Sequence, residues 1–210
     1  VWDCDEPRGR FAPRTPRGYL WTENGGIHAQ FLSENIPGVR GVAPGSTSAK
    51  RHNMRQITTE PLTAAAFAPF GDVLDATGDF RLINAGLCRR HHDRAALDFG
   101  PDGRAGISIF QAEARSLPYS FDLVERHPEG SQAFIPMTAH PFLVIVTADP
   151  ATTPRAFVTD GEQGINLHRG TWHGVLTPLQ APGLFAVVDR IGTTPNLQEH
   201  RYDAPWVVRA

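Results

Sequence analysis

The sequence predicts an all-β fold, an antiparallel barrel or jelly roll with a few short helices. Three features carry the expectation. Short β-branched and aromatic runs follow one another from Arg104 to Ile191, Gly, Pro and Asp punctuate them at close intervals, and no long window holds a helical period.

The elements follow in chain order. Residues 1–53, including "VWDCDEPRGRFAPRTPRGYLWTENGG" and "ENIPGVRGVAPGSTSAKRHN", mix Gly, Pro and Arg with isolated aromatics and hold no period of two or 3.6. They read as a leader, linker or disordered arm, with neither the apolar core of a secretory signal nor an amphipathic transit helix. Trp2, Trp21 and Phe31 also suit an arm that packs on a partner subunit. The catalytic-size domain is expected at 54–210, with Met54 as its functional start. Within it, "TTEPLTAAAFAPFGDVL" gives one short helix, capped by Thr63 and ended by Pro69 and Gly71. Strands follow in "RAGISIFQAEA", "YSFDLVERH", "SQAFIPM", "HPFLVIVTAD", "RAFVTD", "GINLH" and "GLFAVVDRI". Ile107 and Ile109 alternate with Ser108 and Phe110, whereas "PFLVIVTA" is apolar on both faces, as in the middle of a packed sandwich.

Composition narrows the function. With 210 residues, 40% hydrophobic content and a formal net charge of -2, the chain supports one good core and carries no basic run fit for a phosphate backbone or an anionic membrane. A small molecule or another protein is the expected partner, not nucleic acid. "PFLVIVTA" falls far short of the roughly 20 residues that span a bilayer, so the reading is a soluble protein. The two cysteines, Cys4 and Cys88, show no zinc or disulfide spacing, which fits a reducing, cytoplasmic compartment.

The chemistry concentrates in "ERHPEGSQAFIPM". Residues i and i+2 of a strand share a face, so Glu125 and His127 project together, and Gln132 follows a Pro-Glu-Gly-Ser turn. "GEQGINLHRGTWHGV" brings His173 from a second strand pair. Two imidazoles with oxygen donors suit an open divalent-metal site. The plainer alternative pairs Glu125 with an arginine at the surface and leaves both histidines as hydrogen-bonded barrel residues.

From Met54 to about Asp203 the chain resembles the ureidoglycolate lyase family of cupin-fold enzymes, through "PLTAAAFAPFGDVLD", "LINAGLCRRHHD", "ERHPEGSQAFIPM", "PFLVIVTAD", "RAFVTDGEQGINLHRGTWH" and "VVDRIG". The resemblance implies a cupin barrel, cleavage of ureidoglycolate to glyoxylate and urea in allantoin catabolism, and a homodimer. It places Glu125, His127 and Gln132 in a first cupin motif and Gly164, Gly170 and His173 in a second. Catalysis would rest on His127, His173 and Glu125. A divalent metal, the only cofactor expected, would sit on Glu125, His127, Gln132 and His173, held loosely because Gln132 replaces an acidic ligand. Arg90 is the candidate for the substrate carboxylate, with a planar fork for both oxygens, and His92, Asn84 and Asn166 for the ureido group. Asp189 and Arg190 read as a structural ion pair. His91 stands where the family has tyrosine, Gly174 and Val175 replace a histidine and a proline, and Ile191 replaces a glycine. A different metal-dependent cupin enzyme and a non-catalytic small-acid-binding cupin are the alternatives, the first disfavoured by Gln132 and the second by the lack of an output motif.

Overall fold

A computed structural model describes residues 55–210; the proposed leader, 1–53, and Met54 lie outside the described residues. The strands are β1 Arg55–Pro61, β2 Gly71–Leu74, β3 Arg81–Ile83, β4 Cys88–Arg90, β5 Arg104–Ala112, β6 Tyr119–Arg126 and β7 Gln132–Pro136. They continue with β8 Phe142–Thr147, β9 Arg155–Val158, β10 Gly164–Leu167, β11 Trp172–His173, β12 Thr177–Pro178, β13 Gly183–Ile191 and β14 Gln198–Arg209. One helix, α1 Ala64–Phe67, is capped by the Thr63 hydroxyl, which accepts from the Ala66 amide at 3.3 Å as expected. Thus the all-β cupin-type barrel is what the chain forms.

Two sheets make the barrel. One runs β11-β6-β14-β1-β9-β8-β12 and the other β2-β10-β7-β13-β5, while β3 and β4 form a separate pair. Alternation along each strand sends one set of side chains between the sheets. Phe142, Val144 and Val146 from β8 meet Phe134, Ile165, Leu167, Phe185 and Val187 there, closed at one end by Phe67, Phe70 and Phe157. The intervening β8 residues, Leu143 and Ile145, turn the other way and pack with Val124, Tyr202, Trp206 and Val208. This two-sided burial is why "PFLVIVTA" is apolar throughout.

The sequence reading covered β5 to β10 and β13; the longest strands it left out are β1 and β14. β1 lies parallel to both β14 and β9, and β14 carries Pro205 and charged residues that mask its period. Arg155 ties β9 to β1: its guanidinium donates to both Glu60 carboxylate oxygens, at 2.8 and 2.6 Å, and to the Ala66 carbonyl at 2.9 Å. On β5 the alternation is reversed from what apolarity suggests, with Ile107 75% and Ile109 60% exposed on the outer face.

Candidate active site

His173 stands opposite Glu125 in the β11–β6 register and opposite Val146 in the β11–β8 register. Val146 is a core residue between the sheets, so directly paired His173 and Glu125 share that inward face. His127 follows two residues after Glu125, and the two imidazole centroids lie 5.4 Å apart. One ligand atom from each of Glu125, His127 and His173 falls within 4.8 Å of the other two.

Both histidines are oriented alike. His127 Nδ1 lies 2.6 Å from the Asn196 carbonyl, and His173 Nδ1 lies 3.0 Å from the Gly174 carbonyl. A carbonyl only accepts, so each Nδ1 carries a proton, and in the neutral ring the lone pair sits on Nε2. Both Nε2 atoms are buried, with no partner among the described residues. Buried polar atoms rarely stay unpaired, and two convergent ones beside a carboxylate form a donor set for a cation or a transferable proton.

Burial sets the electrostatics. His173 is enclosed beside Phe134, Ile165, Leu167 and Leu176. Desolvation lowers its pKa to about 4, opposed by the Gly174 hydrogen bond and aided by His127, so it is neutral near pH 7. Burial raises the Glu125 pKa, which His127 opposes and Glu199 reinforces. Glu199 is the β14 residue directly across from Glu125.

A stability prediction follows from His173. An unfolded histidine titrates near 6.5 and the folded one near 4, so between these values the unfolded chain binds the extra proton. Folding stability is fully retained above pH 6.5 and drops as pH falls toward 4, by about 3 kcal/mol in all. Urea titrations at several pH values, compared with His173→Asn, check this: the variant loses that part of the slope.

Gln132 is buried on the facing sheet. It pairs with Leu167 across β7–β10 and shares the inward face with Phe134. Its Nε2 is 3.5 Å from Asp189 Oδ2, and Gln132 Oε1 and Asp189 Oδ1 are buried with no hydrogen-bond partner among the described residues. Asp189 therefore does not pair with Arg190, as adjacent strand residues face opposite ways. Arg190 instead reaches Glu129 at 3.1 Å and the Phe99 carbonyl at 3.0 Å. The Phe185, Val187, Asp189 alternation is the signal that would have placed Asp189 inside the barrel. No side-chain signal marks Asn196, which acts through its backbone carbonyl.

The remaining candidates lie elsewhere. Arg90 and Asn84 are exposed on the β3–β4 hairpin, and His92 is exposed just beyond it. Asn166 is fully buried but turned away from Ile165 and Leu167. Its Nδ2 donates to Asp72 Oδ2 at 2.9 Å and to the Ala96 carbonyl at 3.2 Å, tying a loop to the outside of the sheet.

A family model described as ureidoglycolate lyase matches residues 54–209. The chain belongs to the ureidoglycolate lyase family. A ureidoglycolate lyase from Rhodobacter capsulatus is 58% identical over 159 residues, covering 74% of this chain and 99% of the relative. Those of Mesorhizobium japonicum and Pseudomonas syringae pv. tomato are 49% and 46% identical, over 74% and 71% of this chain and 98% and 92% of their own length. Against that family pattern, Gly174 sits with its backbone on Ile145, where an added Cβ would come within 3.1 Å of Ile145 Cβ. His91 lies at the foot of the hairpin, its Nδ1 3.2 Å from the Thr77 carbonyl. Ile191 pairs with Arg104 at the end of β13.

Proposed function

We propose that the chain is a carbon–nitrogen lyase that cleaves ureidoglycolate to glyoxylate and urea at the Glu125–His127–His173 centre. The observation that carries the assignment of the centre is the pair of buried, unpartnered Nε2 atoms beside one carboxylate. The reacting carbon bears a hydroxyl, a carboxylate and a urea nitrogen. His127 Nε2 takes the hydroxyl proton, the C=O bond forms as the C–N bond breaks, and the imidazolium returns the proton to the departing nitrogen. No water is consumed. Glu125 stabilises the transient imidazolium, and His173, kept neutral by burial, presents only a lone pair.

The donor set also fits a divalent cation, which Glu125, His127 and His173 would hold, with Gln132 offering a neutral oxygen from the facing sheet. Such an ion would lower the hydroxyl pKa and neutralise substrate charge. Prolonged chelation is expected to lower turnover and added divalent metal to restore it; full activity after verified metal removal would assign the centre to the histidines alone. The reading extends to a homodimer in the cytoplasm acting in allantoin catabolism, supported by the family and by the cysteine usage.

The chain beginning at Met54 is expected to keep fold and activity, because the family match starts there. Circular dichroism and glyoxylate release from that shortened chain check it. Aggregation or lost turnover would assign residues 1–53 a structural role.

A further inference from the structure

Two buried acceptors, Asp189 Oδ1 and Gln132 Oε1, have no hydrogen-bond partner among the described residues. They stand side by side. In the β7–β13 register Phe185 meets Pro136 and Val187 meets Phe134, so two residues further on Asp189 comes level with Gln132. Alternation keeps Asp189 on the inward side of Phe185 and Val187, and Gln132, only 7% exposed, on that of Phe134. The row lies at the same end of the barrel as the Glu125–His127–His173 centre. Residues 127–131 alone join β6, which carries Glu125, to Gln132 at the start of β7. Between β10 and β11, the Gly170 amide donates to the His127 carbonyl at 2.9 Å. Leu167, the cross-strand neighbour of Gln132, and Phe134 line one cavity with His173.

The fold itself uses neither oxygen. The Gln132 amide reaches the other carboxylate oxygen, Asp189 Oδ2, at 3.5 Å. The adjacent Arg190 guanidinium is on the opposite face, engaged with Glu129 and the Phe99 carbonyl. Leaving such groups buried and unpaired destabilises the folded chain, so the pair calls for a donor from outside it. Two neighbouring acceptors are complementary to a ligand with two N–H bonds along one edge. A ureido group presents that edge, because its NH and its terminal NH₂ each direct one N–H bond away from the C=O. Charge sets the orientation as well: the Asp189 carboxylate accepts the neutral, N–H-bearing half of the substrate and repels the carboxylate half.

Resting on the lyase reading above, we propose that Asp189 and Gln132 form the ureido subsite: Asp189 Oδ1 and Gln132 Oε1 accept the two parallel N–H bonds of the substrate and so select a ureido group over other N-acyl groups. The Gln132 oxygen has a second lone pair, so a cation at the centre can share it.

The test compares ureidoglycolate with its N-acetyl counterpart, in which a methyl group of similar size replaces the terminal NH₂. The full-length wild type should favour ureidoglycolate by ~10²-fold or more in kcat/KM, since the methyl leaves a buried acceptor unpaired. Asp189→Leu, close in size, should lose ~10²-fold on ureidoglycolate, mainly through KM, change little on the acetyl compound, and so erase the preference. Asp189→Asn, which keeps an oxygen but not the charge, should narrow the preference by ~10-fold. Thermal melting shows which variants fold; where Asp189→Leu does not, Asp189→Asn decides, and an unchanged preference there overturns the proposal. A folded Asp189→Leu that keeps the wild-type preference, or loses activity equally on both compounds, overturns it too, as does a wild type with no preference. Calorimetric binding separates the subsite from the lyase reading. A wild type that binds ureidoglycolate more tightly than Asp189→Asn does, yet releases no glyoxylate, removes the lyase reading and leaves the subsite. Glyoxylate release with no dependence on Asp189 keeps the reading and overturns the subsite, and a wild type that neither binds nor cleaves the compound overturns both.

Discussion

Replacing His127 by alanine is expected to lower glyoxylate release from ureidoglycolate by ~10²–10⁴-fold, the usual loss when a positioned acid–base group is removed. The Asn196 carbonyl, 2.6 Å from Nδ1, fixes the tautomer, so the lone pair on Nε2 faces Glu125 and His173. His173 cannot take over as base, because burial holds its pKa to about 4. The change should fall on kcat more than on KM, since the proton moves only in the transition state. Fold should survive, as His127 is only half-buried at the end of β6. Steady-state kinetics with thermal melting of the same sample separate the two effects; undiminished kcat in a folded variant would exclude His127 as the base.

The second large effect is on stability. Phe157→Ala is expected to destabilise the barrel by about 3–5 kcal/mol. Phe157 is fully buried, meets Phe67 edge to face at 5.5 Å, and lies under the Arg155 guanidinium at 4.6 Å. Truncation leaves a void where α1, β9 and the inter-sheet core meet, and removes the surface that holds Arg155 toward Glu60. Urea unfolding measures the loss. A cost below about 1 kcal/mol would mean that the site collapses around the void.

Barrel and centre were legible in the sequence to different degrees. The inner strands could be read because burial on one or both faces leaves a period of two or an unbroken apolar run, as in β13 and β8. The short helix was legible because Thr63, Pro69 and Gly71 each act locally. β1 and β14 were not, because they pair with each other from opposite ends of the domain, and Pro205 and the charges of "QEHRYDAP" obscure the alternation. At the centre, strand periodicity alone aligned Glu125 with His127, but only the β6–β11 register, fixed by distant packing, sets His173 opposite Glu125. Asn166 illustrates the converse: its residue type suits a ureido group, yet the alternation that buries Ile165 and Leu167 turns it outward onto Asp72 and Ala96. Arg90 stands on a hairpin whose strands pair only with each other among the described residues, so no register ties it to the centre.

Product analysis of the purified full chain with racemic ureidoglycolate, alongside the His127→Ala, His173→Ala double variant, tests the central claim most directly. Elimination at the Glu125–His127–His173 centre predicts glyoxylate and urea in equal amounts from the wild type and neither, above the uncatalysed rate, from the double variant. Ammonia released in place of urea, or a folded double variant that turns over like the wild type, would contradict it.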